Sequence, residues 1–337
     1  MEIQRELLLS TIKKVLPAVA KKEMFDQADR VAFVGGRVVA FNDAVAILHQ
    51  LPGGLDLEGS VDGRHLCALL DKLTVDVVKL VPGEGKITLS AGRSRASFNV
   101  VPVTLPIDSV DMSGELVPLP DGFVDQLKWV SASCAKDISR EALTCVLVEK
   151  GWLQSSDSYR ASRVRCGDAV DLPRMMLPLD QVEVLVDYAI ARVSLSDGGV
   201  WVRFTTEDGT AVCVRSKSAK FPDLAHVYDV QGREIQLTSA LGEAIDRARV
   251  FARRDKQIDE EVRVSMRPNQ VTISARYDGG EFSETVRCEG ATDTVEFSIH
   301  PKFLAAALES GTRCVLGDRS VKFSGEDWEH VVALKVS

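Results

Sequence analysis

Apolar positions along this chain form a helical stripe followed by strand-like alternation, and the same order returns twice more. In the first segment Leu8, Leu9, Ile12, Val15, Leu16 and Val19 fall at i, i+1, i+4, i+7, i+8 and i+11, one face of a helix. Similar segments begin near Asp121, a plausible N-cap, with Phe123 to Val130, and near Thr238, with Leu241 to Ala248. Their starts are spaced by roughly 117 residues. Each helix leads into a hairpin pattern. Arg30 to Val34 and Arg37 to Phe41 flank Gly35-Gly36. Cys145 to Glu149 and Trp152 to Gln154 flank Lys150-Gly151. Val262 to Met266 and Val271 to Ser274 flank Pro268-Asn269.

A second helix then recurs over Gly63 to Leu70, Leu179 to Leu185 and Pro301 to Leu308, again followed by strands and turns. Such internal repetition sets the architecture before any single motif does. The pattern predicts an α+β fold of three repeated domains, helix–strands–helix–strands, with boundaries at 1–113, 114–230 and 231–337. An isolated hairpin is marginal in water, so the strands are expected to join larger sheets, with the helices collected on one face.

Length and composition agree with several ordinary domains. The chain has 337 residues, 45% apolar and 27% charged, which excludes a disordered protein. No stretch approaches the roughly 20 apolar residues of a membrane span, and the acidic N-terminus does not read as a secretory signal. Seven cysteines are scattered without a C-x-x-C pair, which reads as buried free thiols in a reducing cytoplasm. The five histidines are scattered as well, so neither a metal nor another cofactor is expected.

Charge adds a partner. The whole chain carries −8, yet the first helix of each repeat and its flank (residues 4–22, 122–136 and 237–256) hold 12 basic against 5 acidic residues. The remainder is strongly acidic. Three equivalent basic helices facing a common centre would line it with positive charge inside an acidic shell, a surface that attracts phosphates without reading bases.

Several stretches resemble the bacterial DNA polymerase III sliding clamps, the beta subunit. Ser90 to Phe98 resembles that family's "SGRSRF" segment, Ser155 to Ser162 its "ATDGHRLA", and Ser216 to Asp223 its "GRFPDY". Pro301 to Leu304 and the terminal Val331-Val332 fit its third domain. Order and spacing carry the resemblance over nearly the whole chain. It implies a homodimeric ring with helices inside and sheets outside, without a catalytic site. Such a ring encircles double-stranded DNA and tethers a DNA polymerase and a clamp loader through short peptide motifs.

Carried onto this sequence, the partner-peptide pocket comprises Leu143, Ser156, Ser158, Tyr159, Arg160, Ala161, Pro222, His226, Val227, Val331, Val332 and Leu334. The family's glycine-histidine pair is Ser158-Tyr159 here, and its final methionine-proline-methionine run is Ala333-Leu334-Lys335, as in a divergent or phage-encoded member. For DNA, Lys22 and the Ser139-Arg140-Glu141 loop match contacting segments, and charge alone adds Lys13, Lys14, Arg253 and Arg254. For the ring joint, Ala96 and Phe98 belong to a first-domain edge strand, and Val250 and Phe251 to a third-domain helix.

Two other classes fit less well. The Gly83-Glu84-Gly85-Lys86 stretch fails as a phosphate loop, because Leu80 and Ile87 stand where glycine and Ser/Thr are required. No G-x-S-x-G occurs, so an enzyme is not indicated. A repeat-built interaction scaffold that never closes around DNA is the remaining alternative.

Overall fold

A computed structural model describes residues 1–53, 55–167, 172–289 and 294–335. Its helices are α1 (Arg5–Val15), α2 (Gly63–Lys72), α3 (Phe123–Ser131), α4 (Leu179–Leu185), the short α5 (Ala225–Tyr228), α6 (Leu241–Ala252) and α7 (Pro301–Ser310). Apart from α5, each is preceded by one strand of two to five residues and followed by three more, so a strand–helix–three-strand motif recurs twice in each sequence repeat. The leading strands escape the sequence pattern. Gly59–Val61, Val117–Pro118 and the others run from two to five residues, too few to display alternation.

The helices form where periodicity predicts, and their buried stripes explain why. Leu8, Leu9, Ile12 and Val15 of α1 are buried, as are Phe123, Leu127 and Val130 of α3, and Leu241, Ala244, Ile245 and Ala248 of α6. Asp62 caps α2 by accepting the His65 backbone N–H at 3.0 Å. Asp121 instead lies in a turn before α3, with Gly122 at φ 76°. That left-handed value suits glycine, and the helix begins only at Phe123.

By its contacts the chain divides into two compact units: residues 1–128 with 148–150 and 167–218, and residues 129–147 with 151–166 and 219–337. In the first, one sheet runs in the order Gly59–Val61, Val31–Val34, Arg37–Phe41, Val45–Gln50, Ala211–Arg215, Trp201–Thr206, Ile190–Leu195, Val117–Pro118. Val45–Gln50 pairs antiparallel with Ala211–Arg215 and so joins strands of the first and second repeats. A separate sheet orders Glu2–Gln4, Val77–Gly83, Lys86–Ala91 and Ser94–Asn99, with Ser94–Asn99 at its edge.

The second unit repeats the junction. Arg160–Arg165 pairs antiparallel with Trp328–Lys335, joining the second repeat to the third. The path continues through Val295–Ile299, Val262–Arg267 and Gln270–Tyr277 to Gly280–Arg287, which is its edge. Val264, Ile273, Ile245, Leu304 and Phe323 lie at the centre of this unit's core. All seven cysteines are buried and free. Burial pushes the Cys134, Cys213 and Cys314 thiols up to about 12, so they stay protonated and inert.

Candidate functional site

A cavity of about 770 Å³ opens within the second unit where the second and third repeats meet. One wall is the turn between Trp152–Ser156 and Arg160–Arg165. Asp157 organises it, accepting the Tyr159 and Arg160 backbone N–H groups at 3.0 Å and the Arg160 Nε–H at 3.0 Å. Ser158 adopts φ 75°, a left-handed conformation that glycine would take without strain. Arg140 donates to its Oγ at 2.7 Å and braces it. The half-buried Arg160 is doubly fixed: it donates to the Ala132 carbonyl and stacks over Phe303 at 4.4 Å.

Pro222, Asp223, Leu224, His226, Val227, Asp229, Val230 and Gln231 form the opposite wall, around α5. Asp223 opens α5 by accepting the Ala225 N–H at 2.9 Å. Gly317, Asp318, Arg319 and Ser320 of the third repeat and Val331 and Ala333 of its last strand complete the lining.

Nine of the twelve pocket positions read from sequence line this cavity: Leu143, Ser156, Ser158, Tyr159, Arg160, Pro222, His226, Val227 and Val331. Three do not. Trp328–Lys335 is a strand, and its side chains alternate. Val331 and Ala333 therefore face the cavity, while Val332 belongs to the hydrophobic core and Leu334 packs against it. Ala161, paired with Val331, is buried beneath the wall rather than in it. The weak alternation of the tail hides this period-two assignment in the sequence. The residues missed, Arg319, Ser320 and Ala333 among them, sit on strands and turns whose pairing only the fold reveals.

Behind this junction lies a buried polar chain. Ser133 Oγ meets Ser162 Oγ at 2.7 Å, which meets His330 Nδ1 at 2.7 Å, while Trp129 packs edge-on against both Trp328 and His330. Burial, followed by the nearby Arg160 charge, pushes His330 down to about 4. A histidine lowered below its unfolded value of about 6.5 binds fewer protons folded than unfolded between those two values. Its stabilising contribution is therefore complete above about pH 6.5 and fades as pH falls towards 4. A shift of this size corresponds to roughly 3 kcal/mol. Melting temperature is expected to drop as pH falls from 6.5 to 4.5. Removing the group in His330→Gln should flatten that slope, and an unchanged slope would assign the acid lability elsewhere.

The cations read from sequence fall into two sets. Lys13 pairs with Asp71 at 3.1 Å and Lys14 with Asp208 at 2.6 Å. The Asp71 hydrogen bond and charge raise Lys13 above the usual lysine value. Burial pushes the Asp208 carboxyl up, but Lys14 and the Thr206 and Thr210 donors outweigh it and hold the group well below the usual range. On α6, Arg247 makes a two-pronged contact with Glu284 at 2.8 and 2.7 Å, and Arg249 faces Asp246 at 3.6 Å. These charges are matched along the helices.

Unmatched charge sits just beyond the helix ends. Among the described residues Lys21, Lys22, Lys136, Arg253 and Lys256 are exposed and make no ion pair, and Arg254 donates only to backbone carbonyls. They follow α1, α3 and α6, one group in each repeat, and Arg253, directly after the last residue of α6, lies where the negative end of the helix dipole favours a cation. Arg140 belongs to the second group. The sequence bias is thus a property of three loops rather than of helix faces. Beside these cations stand two large apolar side chains that carry no periodic signal, Met24 at 75% exposure and Ile138 at 89%.

The joint residues also separate. In Ser94–Asn99, Ala96 and Phe98 share the half-buried face of an edge strand. Val250 is 65% exposed on α6. Phe251 lies in an aromatic cluster, 5.7 Å from both the Tyr277 and Phe282 rings. Phe282 occupies the edge strand Gly280–Arg287, and no sequence motif marks it.

No family model matches the chain, and no curated protein sequence matches it. Solved structures do. The DNA polymerase III subunit beta from Pseudomonas aeruginosa is 20% identical and superposes with a TM-score of 0.86 over 100% of both chains. The DNA polymerase III beta chain from Streptococcus pneumoniae gives 0.87 at 14% identity, over 100% of this chain and 99% of that one. A Pseudomonas aeruginosa sliding clamp bound to griselimycin gives 0.85 at 19% identity, over 100% and 99%. The fold is that of the bacterial sliding clamps from end to end.

Proposed function

We propose that the chain is a DNA sliding clamp, a non-catalytic processivity factor organised as three domains (1–113, 114–230 and 231–337). Two copies close a ring around duplex DNA. One observation carries the reading: the last strand of a first-half motif pairs with the last strand of a second-half motif at both internal junctions, and the same two kinds of strand are left as edges at Gly280–Arg287 and Ser94–Asn99. An unpaired edge is a template for another chain. A second copy, offering its own Ser94–Asn99 to Gly280–Arg287, satisfies both.

The internal junctions supply the register of that joint. At the first, Val45 lies opposite Val214 and Ile47 opposite Val212. At the second, Arg160 lies opposite Val332 and Ser162 opposite His330. Aligning the hairpins puts Phe282 in the place of Val45 and Arg160, because Phe41, Ser156 and Ser274 pair with Ala46, Ala161 and Ser283. Phe98, paired with Ile87, takes the place of Val214 and Val332, paired with Val202 and Val321. The joint thus sets Phe98 against Phe282, beside Phe251 and Tyr277, and Ala96 against Glu284.

The loop cations supply a weakly attractive wall suited to sliding, since phosphate contacts carry no sequence information. The cavity beside Tyr159 serves as the docking groove for short peptides of a polymerase and a loader, held by a few apolar anchors. A chain that acts on DNA in this way works in the cytoplasm. Among the described residues no helix is long and apolar enough to cross a membrane.

Retention on nicked circular DNA tests the reading. The protein should stay on the circle and be lost when the circle is cut. Equal retention on both forms would leave only an ordinary DNA binder or the scaffold alternative. Charge reversal at Lys21, Lys22 and Arg253 should lower the log–log salt slope by about 0.9 for each lost phosphate contact. Reversal of Lys13, already paired with Asp71, should do less.

A further inference from the structure

We infer that the groove beside Tyr159 selects partner segments that carry a lysine or arginine next to their apolar anchors, and that Asp229 and Asp318 read that cation. The inference rests on the peptide-groove reading above and adds the chemistry of the occupant.

The groove's charge is set by which side chains are already engaged. Arg160 is spent away from it: the guanidinium donates to Asp157 at 3.0 Å and to the Ala132 carbonyl, and lies 4.4 Å over Phe303. Neither Ala132 nor Phe303 lines the groove. Three exposed carboxylates do, Asp223, Asp229 and Asp318. Asp223 accepts a backbone N–H at 2.9 Å and Asp229 accepts the neutral Gln231 amide at 2.6 Å, so neither is neutralised. Among the described residues the Asp318 carboxylate has no partner, and only Arg319 beside it is left as an unengaged guanidinium of the lining. The surplus is negative.

Two of the carboxylates share one end of the groove, and the backbone holds them there. Arg233–Gln236 pairs antiparallel with Arg313–Leu316, with Arg233 opposite Leu316. Beyond that last pair the two chains stay in close approach. A Cβ at Gly232 would meet the Leu316 carbonyl oxygen at 2.0 Å, and one at Gly317 the Gln231 carbonyl oxygen at 2.9 Å. Asp229 precedes the approach on one chain and Asp318 follows it on the other. The Gly317 N–H donates to the Ser320 carbonyl at 2.9 Å, closing the turn that carries Asp318 and Arg319. An acidic end fixed in this way needs little ordering when a ligand arrives.

Apolar surface runs up to the same end. Leu224 and Val331 are buried in the lining, and Val227 and Val230 are half-buried. Val230 Cγ1 would stand 3.0 Å from a Cβ at Gly317, so the last apolar position adjoins the acidic turn. One short segment can therefore seat an apolar anchor and present a cation to Asp229 and Asp318 together.

Exposed ion pairs add little to affinity. Their effect here is discrimination: a segment with glutamate in place of the cation sets like charge against two fixed carboxylates. The net charge of −8 on the whole chain draws basic segments in and repels acidic ones during encounter.

Selection from a random octapeptide display library on the full chain tests this. Lysine or arginine should be enriched beside the apolar anchors. A selected peptide should lose about tenfold in affinity when its cation becomes glutamate, and the gap should narrow as salt rises from 0.05 to 0.5 M. Asp229→Lys with Asp318→Lys, both exposed and outside the core, should reverse the order of the two peptides, and Asp318→Asn alone should shrink the difference. Lysine and glutamate peptides binding within about twofold of each other, on the parent chain and on the double variant, would overturn the selectivity. The groove itself would still stand if Ala333→Trp abolished their binding. Selected peptides that bind Ala333→Trp as well as the parent would remove the groove and the selectivity together.

Discussion

Aspartate at Phe98 together with aspartate at Val250 is expected to turn the dimer into monomers, read by sedimentation velocity or light scattering. Phe98 sits on an edge strand, half-buried by its own chain alone, and Val250 is largely exposed, so neither change removes a central core contact. In the proposed register Phe98 lands against Phe282, and Val250 stands next to Phe251 on the helix that flanks Phe282. A charge buried there without a partner costs at least about 3 kcal/mol, and the joint occurs twice in a closed ring. The dissociation constant should rise more than a hundredfold. Phe251→Asp is a poorer probe than its exposed neighbour, because Phe251 is already packed on Tyr277 and Phe282 within its own unit. Val81→Asp, on the exposed face of the same sheet as Phe98, should leave the dimer whole. A Phe98/Val250 variant that still runs at twice the chain mass would place the joint elsewhere.

Most of the fold is legible in the pattern of apolar positions because each helix buries a continuous stripe. Leu8, Ile12 and Val15, or Leu241, Ile245 and Ala248, announce themselves at helical spacing. What escapes is long-range pairing. Nothing local says that Val45–Gln50 meets Ala211–Arg215, or that Ala333 rather than Leu334 turns towards the groove. Charge counting locates the right segments but not the right atoms. Lys13 and Lys14 are neighbours of Lys21 and Lys22 in sequence, yet the first two are matched by Asp71 and Asp208, which lie 58 and 194 residues away in the chain. Resemblance reaches the groove wall at Ser156 to Arg160, where a turn fixes side-chain direction locally. It fails at Val332, where direction depends on strand register.

Filling the groove at Ala333 should abolish polymerase stimulation while leaving the ring on DNA. Ala333 is exposed, pairs with Ser320 across the sheet, and faces the cavity with Val331. In Ala333→Trp the indole occupies the space an apolar anchor of a partner peptide would take, without touching the core face that holds Val332 and Leu334. Interface anchors of this kind are worth about 2 kcal/mol or more, so peptide affinity should fall at least about thirtyfold. Removing residues from Leu334 onward is a worse experiment, although it looks more direct. Leu334 and Lys335 pair with Ile299 and Ser298, and Lys335 Nζ donates to the Ile258 carbonyl at 2.5 Å, so truncation opens the third repeat's sheet. Val336 and Ser337 lie outside the described residues. Tyr159→Ala offers an independent check on the opposite wall, since Tyr159 is exposed and its backbone, not its ring, holds the turn. Should Ala333→Trp and Tyr159→Ala both support full processive synthesis by the cognate polymerase, the partner docks away from this groove.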